Sequence, residues 1–243
     1  MIIALHTEGD KLISIDFNGY NSYKDFGLVM EKIHSIPTAE KIIKNINIEG
    51  VQEALTEDQG YKNTKIIISF GFKSDDPGII RAIKSWLMNF KDNKLTFSND
   101  TDIFYKVKDV KVSDIITKIR AIKRLQVQFT LDPFVYYHKG LDVIEIVNST
   151  TLISPEFATN SMPIGTIYGS GDIVLNINNQ KIYLRNVEEK ITINSVLQEC
   201  YKGTINCNNK MCGEFPQLDP GESNITWNGA INKIEITPNW RTI

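Results

Sequence analysis

Apolar and polar residues alternate along Ile13-Ser14-Ile15-Asp16-Phe17, the period of a strand with one buried face. Asn18-Gly19 follows and readily takes positive φ, so a turn should close this first strand. Lys65-Ile66-Ile67-Ile68-Ser69-Phe70-Gly71-Phe72 is β-branched and aromatic almost without interruption, which predicts a central strand buried on both faces. The period then changes. Ile79, Ile80, Ile83, Trp86, Leu87 and Phe90 recur three and four apart and so line one stripe of a helix packed on a sheet. Asp76 can cap its free amides, and Pro77 suits the first helical position, where a missing N–H costs nothing.

Val127, Phe129 and Leu131 alternate with Gln126, Gln128 and Thr130, and Asp132-Pro133 should end that strand, because proline cannot donate to a ladder. A boundary is expected there, giving an N-terminal domain over 1–135 and a C-terminal domain over 136–243, with an accessible linker near Leu131 to Leu141. Beyond Tyr136 the chain breaks into short alternating runs: Val143 to Val147, Ile164 to Tyr168, Ile173 to Ile177, Ile182 to Leu184, Ile191 to Ile193, Ile225 to Trp227 and Ile231 to Ile236. Gly169-Ser170-Gly171-Asp172, Asn178-Asn179, Pro220-Gly221 and Asn228-Gly229 each fit a tight reversal between strands. The fold class is therefore mainly β, with an α+β N-terminal domain carrying one packed helix and a C-terminal β-sandwich of short strands.

With 42% hydrophobic and 23% charged residues over 243 positions, the chain can bury a core in each half. No apolar run approaches the roughly 20 residues of a spanning helix, so no membrane insertion is expected. Met1-Ile2-Ile3-Ala4-Leu5-His6 has no basic segment and soon meets Glu8 and Asp10, unlike a secretory signal, which predicts synthesis and assembly in the cytoplasm. Net charge is −2, and the two halves divide it as +1 (19 basic, 18 acidic) and −3 (8 basic, 11 acidic). Neither half offers the basic footprint that specific nucleic-acid binding requires.

Candidate chemistry is sparse. Cys200, Cys207 and Cys212 are odd in number and lack a nearby fourth ligand, since His6, His34 and His138 are distant in sequence, so reduced thiols are expected rather than a disulfide framework or a zinc site. The sequence has no nucleophile elbow, no phosphate loop and no His-Glu-x-x-His pair. Glu188-Glu189 is the one tempting carboxylate pair for a glycosidase, but neighbours on an extended strand point to opposite faces and cannot flank one bond. No catalytic residue, cofactor or metal ligand is assigned, and the chain is not expected to be an enzyme. Tyr201, Trp227 and Trp240 would be the platforms if the sandwich stacked sugars, although packing in a core is the commoner fate of such rings.

Phe17-Asn18-Gly19-Tyr20-Asn21-Ser22, Asp25-Phe26-Gly27-Leu28, the Pro37 region and Tyr61-Lys62-Asn63-Thr64, followed by the Pro77-to-Phe90 helix, resemble the distal tail proteins of phages with long non-contractile tails. The second half is similar to the same family through Ile167-Tyr168-Gly169-Ser170-Gly171-Asp172, Asn178-Asn179-Gln180, Ile191-Thr192-Ile193-Asn194-Ser195 and Glu199-Cys200-Tyr201. The similarity continues through Asn208-Asn209-Lys210-Met211, Gly213-Glu214-Phe215-Pro216, Leu218, Pro220-Gly221, Asn224-Ile225-Thr226-Trp227 and Pro238-Asn239-Trp240-Arg241. Glu49-Gly50-Val51-Gln52-Glu53-Ala54 departs from the family, whose members often carry a second glycine in this turn.

The resemblance implies a structural virion protein of the tail tip. Its N-terminal domain would build a homo-hexameric ring, the baseplate hub, and a galectin-like sandwich would project outward. The ring would stack on the major tail tube protein and dock the tail-associated lysin or adhesion protein, with the tape measure and receptor-binding proteins as further neighbours. DNA would pass through the lumen without being held. The runner-up is a carbohydrate-binding adsorption protein, favoured if Tyr201 or Trp227 lies on an exposed concave face beside polar residues and disfavoured if both rings are buried.

Overall fold

The computed structural model describes residues 12–31, 38–47, 49–50, 53–74, 76–117 and 122–243, with the backbone alone at 116–117. The chain separates into two compact units, residues 1–135 with Ile243 and residues 136–242.

In the first unit the strands are β1 (Ile15–Phe17), β2 (Tyr20–Asn21), β3 (Val29–Met30), β4 (Lys41–Ile46), β5 (Leu55–Tyr61) and β6 (Thr64–Lys73), then helix α1 (Pro77–Met88), β7 (Lys94–Phe97), β8 (Asp100–Val112), β9 (Ile116–Thr117) and β10 (Ile122–Tyr137). The main sheet runs β2-β1-β7-β8-β10-β6-β3, and β4 with β5 forms a separate two-stranded sheet. The expected first turn is present: Asn18 and Gly19 take φ of 47° and 76° between β1 and β2. The helix also starts where the sequence marks it, with the Asp76 carboxylate accepting from the Gly78 amide at 2.7 Å. Its stripe buries Ile83, Trp86 and Leu87 in a core shared with Phe17, Phe70 and Phe129.

Two expectations are corrected in this unit. In β6 only Ile66, Ile68 and the residues from Phe70 to Phe72 are buried, while Ile67 is 40% exposed. The isoleucine run expresses strand preference rather than two covered faces. Asp132-Pro133 does not end its strand either, for β10 runs through both residues to Tyr137. The ladder with β6 stops at Leu131↔Thr64, so the N–H that Pro133 lacks is not needed there. Asp132 instead accepts from the Phe134 amide at 3.2 Å. The division between the units thus falls inside a strand, not in the loop expected from Leu131 to Leu141.

The second unit holds β11 (Ile144–Ile146), β12 (Thr150–Ile153), β13 (Ile164–Ile177), β14 (Gln180–Val187), β15 (Lys190–Asn194), β16 (Glu199–Lys202), β17 (Ile205–Asn206), β18 (Met211–Cys212), β19 (Glu222–Thr237) and β20 (Arg241–Thr242). β13 and β19 are long antiparallel partners whose register shifts midway. The first half of β13 also pairs with β15 and the second half with β14, so the sheet divides onto two layers around a core of Ile167, Ile173, Leu175, Ile191, Ile225 and Ile234.

This division revises the expected strand count. The runs Ile164 to Tyr168 and Ile173 to Ile177 are one strand, as are Ile225 to Trp227 and Ile231 to Ile236. Gly169-Ser170-Gly171 and Asn228-Gly229 are therefore not reversals but facing irregularities where both strands bend. Their glycines permit backbone contact: a Cβ on Gly169 would lie 2.3 Å from the Ala230 oxygen, and one on Gly229, at φ +115°, 2.6 Å from the Asp172 oxygen. Asn178-Asn179 is the hairpin the sequence signals, closed at Ile177↔Gln180 with Asn178 at φ 51°.

Candidate functional site

Pairing in one layer of the second unit sets Glu145, Glu235, Thr166, Thr192, Tyr201 and Asn206 in a single row across five strand pairings. Their neighbours Ile146, Ile234, Ile236, Ile167, Ile191, Ile193 and Cys200 are buried, so strand alternation turns the row outward. Beside it, Lys233 and Lys190 flank the ring of Tyr168, at 5.0 Å and 5.7 Å from its centroid.

The groups on this face satisfy one another. Lys233 donates to Glu145 at 2.8 Å and to Glu235 at 2.7 Å, and the Tyr168 hydroxyl donates to Glu235 at 2.8 Å. The hydrogen bonds from Lys233 and Tyr168 hold the Glu235 carboxyl below its ordinary range. Conversely, the bond to Glu235 raises the Tyr168 hydroxyl, and those to Glu145 and Glu235 raise Lys233. Each shift favours the protonation state the group already has at neutral pH. The face is thus a polar surface whose charges are balanced among themselves.

The three aromatic residues singled out in sequence do not meet on it. Tyr201 is half-buried on the outward row, whereas Trp227, paired with Leu175, packs its half-buried ring against the core on the opposite side of the sheet. Trp240 lies past the end of β19, where its carbonyl accepts from the Tyr137 amide at 3.0 Å and its backbone approaches Gly140 too closely for any side chain there.

Glu188-Glu189 is not extended: the pair forms the turn between β14 and β15, with Glu189 at φ 60° and its carboxylate 3.2 Å from Lys202. Among the described residues no group of three or more His, Cys, Asp or Glu side chains converges as metal ligands would. His6 and His34 lie outside the described residues, as do Pro37 and the Val51-Gln52 step of the divergent turn. Cys200 and Cys207 are buried in the core and Cys212 is exposed. Among the described residues no helix is long and apolar enough to cross a membrane.

A second surface belongs to the β4–β5 hairpin. Ile46 and Leu55 are directly opposed, and Leu55 is 57% and Ile43 55% exposed. Charged pairs, Lys41 with Asp58 at 2.7 Å and Lys44 with Glu57 at 3.7 Å, tie its strands together. Exposed ion pairs contribute little, and an isolated two-stranded hairpin is marginal in water. Tyr61 at the end of β5 meets the ring of Phe134 edge-on, with centroids 5.6 Å apart.

No protein-family model matches the sequence, and no curated protein matches it. Solved structures do. The Dit protein of phage SPP1, described as a paradigm of the hub adsorption apparatus in phages infecting Gram-positive bacteria, superposes with a TM-score of 0.69 at 9% identity, covering 96% of this chain and 99% of that one. A chain of the phage P2 baseplate in its activated, calcium-bound conformation matches with a TM-score of 0.50 at 10% identity, covering 96% and 98%. The chain has the fold of a phage Dit protein along nearly its whole length.

Proposed function

We propose that this chain is a non-enzymatic structural subunit of a phage tail tip, a distal tail protein that joins the tail tube to the host-adsorption apparatus. The observation that carries this reading is end-to-end agreement with the SPP1 Dit protein, which includes both units and leaves almost none of either chain unmatched. A fold shared over both units is harder to reach by chance than one shared sandwich. The motif resemblance in the sequence points to the same family independently.

In this reading residues 1–135 form the ring-building domain, with six copies closing head to tail around a lumen through which DNA passes. Heterologous contacts close into a ring when the rotation per subunit divides a full turn. The exposed Ile43, Ile46 and Leu55 of the β4–β5 hairpin supply apolar surface for contact with a second copy. Residues 136–243 form the outward, galectin-like domain. The tube protein, the tail-associated lysin or adhesion protein, the tape measure and the receptor-binding proteins are the expected neighbours in the virion, after assembly in the host cytoplasm.

Light scattering over a concentration series, with negative-stain imaging alongside the cognate tube protein, tests the proposal. Sixfold rings, free or capping tubes, are the expected result. One observation favours the alternative, a carbohydrate-binding adsorption protein: Tyr201 lies on the outward row among Thr192, Glu235 and Asn206. A strictly monomeric chain that ignores the tube and binds cell-wall glycan through Tyr201 would establish that alternative and sink the ring.

A further inference from the structure

Cys200 and Cys207 stand at the two ends of a short hairpin. The register of β16 with β17 is Tyr201↔Asn206 and Lys202↔Ile205, which sets Cys200 directly opposite Cys207 one step further along. Cys207 lies just past the end of β17, and its amide donates to the Cys200 carbonyl at 2.7 Å, while the Cys200 amide donates to Asn208 Oδ1 at 2.6 Å. Both side chains lie on the inner face, in the same apolar core. Opposed residues of this hydrogen-bonded kind have Cα atoms about 5.5 Å apart, inside the span of about 4.4–6.8 Å that a disulfide needs, while their Cβ atoms must close by roughly 1 Å, a movement that opening of the sheet end allows.

We infer that Cys200 and Cys207 are a latent cross-strand disulfide that closes when the protein leaves a reducing compartment and meets a small-molecule disulfide. As folded here both are free thiols. Burial, with Cys207 close by, pushes the Cys200 thiol up to about 11, so it is a poor nucleophile and cannot begin the reaction. Cys207 can, because β17 is a two-residue strand at the end of its sheet with Ile205 and Asn206 exposed, and such edges open locally at low cost.

In the first step the Cys207 thiol gives up its proton, its sulfur attacks one sulfur of the small disulfide, and one small thiolate leaves. In the second, Cys200 loses its proton, its sulfur attacks the Cys207 sulfur, and the second small thiolate departs. Two protein thiols have then lost two electrons and two protons, and one small disulfide has become two thiols. Cys212 takes no part, since it lies on β18 opposite Tyr183 and is exposed there.

The sequence makes the test direct, because Lys190, Lys202 and Lys210 place the three cysteines in three different tryptic peptides. The full chain is incubated with oxidised glutathione at stepwise sub-denaturing urea, alkylated after full unfolding, digested and analysed by mass spectrometry without reductant. The expected product links residues 191–202 to 203–210, in the native sequence and in Cys212→Ser, and is lost in Cys200→Ala. The oxidised chain should also melt at a higher temperature than the reduced one. A link from Cys207 to Cys212, a glutathione adduct that persists on either inner cysteine, two thiols still free at the highest urea that preserves the fold, or an oxidised chain that melts lower would each overturn the inference.

Discussion

The indole N–H of Trp86 donates to the carbonyl oxygen of Phe17 at 2.7 Å, in a buried setting, and joins the last turn of α1 to the end of β1. The side-chain amide of Asn18 returns the contact by donating to the Trp86 carbonyl at 3.1 Å. Around this exchange the ring of Phe17 meets those of Trp86, Phe90 and Phe129, with centroids 6.2, 5.3 and 5.5 Å away. Trp86→Phe keeps most of the apolar volume and leaves the Phe17 carbonyl without its donor, so it should destabilise the protein by about 1–3 kcal/mol. Asn18→Gly keeps the positive φ of the turn and removes only partly exposed or exposed hydrogen bonds, so it should cost less. Urea denaturation of the three proteins checks this order, and a Trp86→Phe midpoint equal to the native one would remove the bond from the account of how the helix is held.

Two glycines of β13 should respond in opposite directions to the same methyl group. Gly165 lines a small apolar cavity of about 20 Å³ with Ile167, Leu175 and Ile234, and a Cβ placed there meets nothing within 4 Å. Gly165→Ala should therefore stabilise by about 0.4–1 kcal/mol, chiefly by reducing the freedom of the unfolded chain. At Gly169 the same Cβ would lie 2.3 Å from the Ala230 carbonyl oxygen, and only movement of the two backbones can relieve that clash. Gly169→Ala should lower the melting temperature markedly. Thermal melts of the pair decide it, and a tolerated Gly169→Ala would mean that the bend between β13 and β19 does not depend on close backbone approach.

That pair also shows what the sequence made legible. The polar and glycine signals at Gly169-Ser170-Gly171 and Asn228-Gly229 mark breaks in two apolar alternations, but a hairpin and a bulge within a long strand ask for the same residues. Only pairing with a distant partner, β13 with β19, distinguishes them. The start of helix α1 and its packed positions Ile83, Trp86 and Leu87 were legible because cap, proline and period are all local, whereas Ile79 of the expected stripe is exposed and the helix ends at Met88, before Phe90. Trp227 and Tyr201 could not be assigned to opposite faces of the sheet, since which residues of a strand point inward depends on the layer packed against it. The Cys200–Cys207 pairing has a signal in retrospect, as Gly203 stands in the tight connection between β16 and β17, but a separation of seven residues proves nothing until the register is known.

Stability should fall at alkaline pH. Burial raises the Cys200 thiol from 9.0 to about 11 and the Tyr105 hydroxyl from 10.0 to about 12. A folded-state value above the unfolded one means that the stabilisation is complete below the unfolded value and is lost as pH rises through the folded one. Melting temperature should hold up to about pH 9 on this account and decline above it. Cys200→Ala should flatten the earlier part of the decline. Glu235 works in the other direction: its lowered carboxyl gives a contribution present above the usual carboxylate range and lost as pH falls. Calorimetry across the pH range checks both sides, and an alkaline slope unchanged in Cys200→Ala would show that this thiol does not stay neutral and buried in the folded protein.

The β4–β5 hairpin is where assembly can be separated from folding. Ile46 and Leu55 face each other across the strands and are exposed, so replacing both with Thr places β-branched, strand-forming side chains at both positions and removes apolar surface that the isolated chain does not bury. Surface changes of this kind usually alter stability by no more than about 0.5 kcal/mol. The Ile46→Thr, Leu55→Thr protein should therefore melt like the native one. If the hairpin meets a second copy in the ring, the variant should need a higher concentration to self-associate and should fail to cap tubes of the cognate tail protein. Ile205→Thr is the control, an apolar residue of the other unit that is more exposed than Ile46 or Leu55 and whose loss should leave association unchanged. Light scattering and negative-stain images of the three proteins give the answer. Normal rings from the double variant would move the ring contact elsewhere on the first unit, and equal loss of rings in both variants would show that exposed apolar surface in general, rather than this hairpin, drives association.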